Sequence, residues 1–180
     1  MKMVNLILIF CLMATNTFAQ EPLSANDIMA EAFAKAKKEN KNVFVKFSAS
    51  WCGWCKKMDG AMNDTACKKL FDDNFVIVKL IVDEADNNKN LENPGADLIR
   101  IKYGGEKSAG LPFWFVLDSK GKLLTDCYVY ENNKKSSIGC PATAEEVKAF
   151  IEVLKKTTAL SNQQLQIISE RFRKNEVKGH

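Results

Sequence analysis

Histidine is almost missing from this chain: the single one is His180, at the very end. There is one Cys-x-x-Cys and no second. A structural zinc site draws four ligands, commonly two such pairs or one pair with histidines, so metal is the weakest reading of the cysteines. Like charges never run five or six together, although the balance of 26 basic and 22 acidic residues leaves a net charge of +4. Dispersed charge of this kind describes a solvated surface rather than a nucleic-acid or lipid footprint. Beyond the first nineteen residues no stretch is apolar enough to cross a bilayer. There is no internal repeat and no low-complexity tract.

What is present starts with the N-terminus. Lys2 is followed by the mostly apolar run from Val4 to Met13 and then by Thr17-Phe18-Ala19. This pattern reads as a secretory signal peptide at 1–19, cut after Ala19, with an uncleaved anchor as the alternative. Cys11 suggests a lipoprotein site, but the bulky Phe10 stands where such sites need a small residue. The expected location is periplasmic or secreted, where disulfides persist. Residues 20–180 then form a single domain with five cysteines: Cys52, Cys55, Cys67, Cys127 and Cys140. Five is odd, so at least one thiol is free or pairs with another molecule.

The remaining pattern alternates helices and strands. Ser24 to Glu39 reads as a capped helix, 43–47 (VFVKF) as a buried strand, and 53–62 as a helix starting at the cysteine pair. Asn63 and Asp64 cap a further piece to about Phe71. Residues 76–83 form a second strand, 83–95 a polar loop, and Asn93-Pro94 open a helix that ends near Tyr103. Residues 113–117 and 123–130 read as third and fourth strands around the turn Asp118–Gly121. Two capping boxes, Thr143 with Glu146 and Ser161 with Gln164, start the last two helices. The order implies an α/β fold with a mixed central sheet flanked by helices and an extra C-terminal helix at about 162–174.

The segment 48–59, SASWCGWCKKMD, carries the chemistry. Zinc, a structural disulfide and a redox pair are the three readings of Cys52 and Cys55. A two-residue loop removes little entropy from the unfolded chain, so a disulfide here stabilises little. A sulfur at a helix start, in contrast, meets unsatisfied N–H groups and the positive end of the macrodipole. Both favour the thiolate and make it nucleophilic near neutral pH. Cys52 is therefore expected to be exposed and attacking, with Cys55 one turn in, more buried and resolving.

These residues resemble the active-site segment of thioredoxin-like proteins. VFVKFSASWCGWCKKMD, then FVIVKLIVDE, then GLPFWFVLDSKGKLL are together similar to exported bacterial members, including the C-terminal domain of the transmembrane carrier that supplies reductant to the periplasm. The likeness covers about 28–156. It implies a thioredoxin-like fold and a protein thiol–disulfide oxidoreductase, a reductase or isomerase, that uses no cofactor and no metal. Its partners would be protein disulfide or dithiol substrates and a membrane or soluble redox partner not encoded here, with no nucleic acid. The resemblance also implies that Pro112 is cis and faces the dithiol, and that the Leu111 backbone pairs with substrate; an ordinary trans proline is the alternative. Trp51 becomes one wall of the groove and Trp54 its rim, or Trp54 merely packs on a loop. Lys46 departs from the pattern, which holds a buried acid there. With Lys79 on the next strand it makes two lysines where an acid–lysine pair is usual, so either one ammonium reaches solvent or an acid such as Asp83 or Glu84 approaches. Lys46 is then expected to lower the Cys55 pKa, or else to be a solvated lysine without effect. Cys67 reads as a small hydrophobe, and Cys127–Cys140 is the preferred disulfide. A function of another class stands beside the enzyme: a protein-binding module of the same fold whose redox activity is incidental, using the groove of Trp51, Trp54 and Leu111 or the C-terminal helix.

Overall fold

The computed structural model describes residues 22–106, 109–131 and 134–177; the segment 1–19, expected to be a signal peptide, lies outside them. The elements are α1 (Ala25–Glu39), β1 (Asn42–Ser48), α2 (Gly53–Met62), α3 (Lys68–Asn74), β2 (Phe75–Ile81), a 3₁₀ helix (Asp86–Leu91), α4 (Ala96–Lys102), β3 (Phe113–Leu117), β4 (Leu123–Asp126), β5 (Tyr128–Glu131), β6 (Lys134–Ser137), α5 (Ala144–Thr157) and α6 (Asn162–Arg173). The main sheet runs β2-β1-β3-β4, with β1 parallel to β2 and β3 antiparallel to both its neighbours. This is the mixed sheet that a crossover followed by a hairpin demands.

Alternation along the central strands loads both sheet faces with rings. Phe47, Phe113 and Phe115 point one way, toward Tyr103 at the end of α4. Phe44 and Trp114 point the other way, where they meet Phe150 of α5. Phe71 of α3 and Phe172 of α6 close on Phe150 from outside. The C-terminal helix is thus part of the core, and an Asp64–Arg171 ion pair at 2.7 Å fastens it below α2.

Ser24 caps α1, and both capping boxes form as the sequence predicts. Three expectations need correction. Residues 123–130 are not one strand. Cys127 N–H donates to the Trp114 carbonyl and its own carbonyl accepts from Ile138, so the chain leaves the main sheet there. β5 then pairs only with β6, a lysine- and serine-rich strand with no apolar alternation to announce it. Pro94 does not open α4: the helix begins at Ala96 behind Gly95 at φ 82°, and the Pro94 carbonyl accepts from Ala25 N–H instead. Cys127 and Cys140 form no disulfide; both are buried free thiols. The Cys127 sulfur lies 3.3 Å from the Ser137 hydroxyl, while that of Cys140 accepts from Asn175 Nδ2 at 3.5 Å, so each is engaged by a different group. Cys67 is buried as a small hydrophobe, as expected.

Candidate active site

β1 ends at Ser48, and the turn Ala49–Trp51 delivers the chain into α2 with Cys52 at the N-cap. The Cys52 sulfur accepts a hydrogen bond from Cys55 N–H at 3.1 Å. A helix cap is normally an oxygen; here a sulfur takes that place and receives both the free N–H and the field of the helix start. Cys52 and Cys55 are joined as a disulfide, S–S 2.00 Å, with Cα atoms 5.3 Å apart. The bond is common to the structural and the redox readings of the pair. Among the described residues no group of three or more His, Cys, Asp or Glu side chains gathers to hold a metal ion.

The expected contrast in exposure between the two cysteines is not found. Cys52 is 3% exposed and Cys55 2%. They form a small apolar cluster with Ala49, and Leu111 packs against it. The Leu111–Pro112 bond is cis. Trp54, Leu111 and Pro112 come together around a groove of about 320 Å³, with Ile138, Gly139 and Cys140 on its far side. Those last three belong to the segment leaving β6. Sequence reading missed them because only the fold brings residue 138 back to residue 112. Trp51 stands apart from that groove, 59% exposed, its indole N–H donating to the Asp83 carbonyl at 2.8 Å. Trp54 is 44% exposed, with the Lys57 ammonium 4.3 Å from its ring centroid.

The acid that answers the two lysines is neither Asp83 nor Glu84. Lys46 ion-pairs with Asp59, whose other carboxylate oxygen accepts from Lys79 at 3.0 Å. Lys46 is buried and Lys79 half-exposed, so one ammonium does reach solvent. Burial, and after it the Lys79 ammonium, push Lys46 down to about 8; the adjoining carboxylate acts in the opposite sense. Asp59 lies one turn beyond Cys55, and only the packing of α2 over β1 and β2 shows that it faces both strands. Asp83 is engaged by Arg100. The buried Glu84 takes Ser50 N–H at 2.5 Å and the Ser50 hydroxyl at 2.6 Å, and so ties the turn before Cys52 to the end of β2.

This sheet order, with a cysteine pair at the mouth of the helix after the central strand, defines a thioredoxin-fold protein of oxidoreductase type. The profile of the thioredoxin-like family matches residues 25–119, more than half of the chain, and the chain belongs to that family. Protein disulfide-isomerase A3 of Gallus gallus is 27% identical over 136 residues, 72% of this chain and 26% of its own length. Thioredoxin H4 of Arabidopsis thaliana is 37% identical over 59 residues, 33% of this chain and 48% of its own. The chain spans less than half the length of the curated relatives it matches. Among solved structures, the disulphide isomerase of Xylella fastidiosa Temecula1 is 22% identical with a TM-score of 0.49, covering 90% of this chain and 98% of that one.

Proposed function

We propose that this protein is an exported thiol–disulfide oxidoreductase, a reductase or isomerase, that exchanges disulfides with protein substrates. The observation that carries the reading is the Cys52 sulfur, which caps α2 within bonding distance of Cys55. In the reduced protein the helix start stabilises a Cys52 thiolate. That thiolate attacks one sulfur of a substrate disulfide; a Cys52–substrate bond forms, the substrate S–S bond breaks, and one substrate thiolate leaves. Cys55, deprotonated, then attacks the Cys52 sulfur and expels the second substrate thiolate. Two electrons pass to the substrate, and the Cys52–Cys55 disulfide remains until an external dithiol reduces it.

The remaining roles are those the family resemblance implies, supported by the packing of Leu111 against the pair. Leu111 and Pro112 offer backbone beside the pair, Trp51 and Trp54 flank it, and Lys46 acts from behind to lower the Cys55 pKa. Export rests on the leader read at 1–19. Among the described residues no helix is long and apolar enough to cross a membrane.

The test is trapping with Cys55→Ala. Without the resolving sulfur, mixed disulfides through Cys52 accumulate, and they are recovered as reducible adducts identified by mass spectrometry. Absence of any adduct, with Cys52→Ser retaining the cellular role, would instead favour a binding module.

A further inference from the structure

The chain leaving β2 lies against the turn that leads into the cysteine pair, and Asp83 is where the two meet. Its φ of 55° is left-handed, a conformation aspartate tolerates but does not prefer. Both polar ends of this residue are in use. Its carbonyl accepts the Trp51 indole N–H at 2.8 Å. Its carboxylate is gripped by the guanidinium of Arg100, with Nη1 on Oδ2 and Nη2 3.2 Å from Oδ1. Arg100 belongs to α4 and is 2% exposed, a charge kept out of water. A buried ion pair is weak as a source of stability, because desolvation offsets most of its attraction. A two-point guanidinium–carboxylate grip does, however, fix orientation. Here it fixes the residue whose carbonyl holds a ring that solvent mostly surrounds. Trp51 has little packing to hold it, and the indole bond decides where the ring stands.

We propose that Arg100 is a positioning residue for Trp51. By clamping Asp83 in its left-handed conformation it aims the Asp83 carbonyl at the indole and sets the wall beside Cys52 that a substrate meets. The geometry is independent of the proposed function; the consequence for substrate rests on that reading.

The test uses the double variant Asp83→Asn/Arg100→Met, which leaves no unpaired buried charge, and Arg100→Lys, which keeps the charge but not the two-point grip. Indole N–H exchange is read by ¹⁵N NMR for the three tryptophans. In the double variant the Trp51 N–H is expected to exchange about five- to tenfold faster, the equilibrium worth of one hydrogen bond. Arg100→Lys should fall between the double variant and wild type. Trp114, whose indole N–H donates to the Gly139 carbonyl at 2.7 Å, serves as the internal reference and should not change. In parallel, with insulin as the disulfide probe, KM is expected to rise about fivefold while kcat stays within about twofold, since the lost positioning acts on binding. Unchanged Trp51 exchange overturns the proposal. So does equal acceleration at Trp51 and Trp114, which assigns the pair a general structural role, or a fall in kcat at constant KM. If the wild type reduces no insulin, the proposed function is what fails, and the indole rates still decide the role of Arg100.

Discussion

Lys46→Met removes a buried ammonium whose ordinary value of 10.5 is pushed down to about 8 by burial and by Lys79. Folding therefore favours the neutral amine, and between those two values the unfolded chain binds the extra proton. Where the unfolded state holds more protons, stability rises with pH. The penalty is fully present below about pH 8 and is relieved between about pH 8 and 10.5. Each pKa unit is worth about 1.36 kcal/mol, and integrating from about pH 7 to about pH 9.5 gives the wild type a gain of about 2 kcal/mol from this group alone. The attraction of Asp59 reduces that figure, so it is an upper value. The variant, with no group to titrate there, should lack the gain. Urea unfolding of the oxidised protein at both pH values, wild type against Lys46→Met, isolates the difference from every other group. Identical pH slopes in the two proteins would refute the reasoning. A second reading comes from the reduced variant, in which the Cys55 thiol should titrate higher than in wild type if the positive charge acts on it. An unchanged value removes Lys46 from the mechanism.

Burial pushes the Cys127 thiol up to about 11 and that of Cys140 up to about 12, so both stay protonated at neutral pH. Native protein treated with a maleimide should leave both unmodified, denaturation should release both, and mass mapping that finds them linked would contradict the structure. Thr143→Ala removes the hydroxyl that accepts Glu146 N–H at 3.2 Å and dismantles a capping box. The expected loss is about 1 kcal/mol, seen as a Tm lower by about 2–4 °C.

Much of the fold could be read in the residues because their signals are local. The run VFVKF, the capping pairs at Thr143 and Ser161, and the turn at 118–121 act over three or four residues, and the structure places each where its pattern indicates. The polar strand at Lys134–Ser137 was not legible, since nothing in its side chains alternates and only its pairing with Tyr128–Glu131 makes it a strand. The break at Cys127 was hidden for the same reason.

The site divides along similar lines. That Cys52 and Cys55 stand as a pair at a helix start follows from spacing and from the strand before them, because the field at a helix end is a property of the adjoining backbone alone. Which acid meets Lys46, which carbonyl holds Trp51, and which residues face Pro112 across the groove are matters of segments 13 to 32 residues apart in the chain lying together in space. No local rule reaches that far. Asp59, Asp83 with Arg100, and the segment 138–140 took their places only when the helices closed over the sheet.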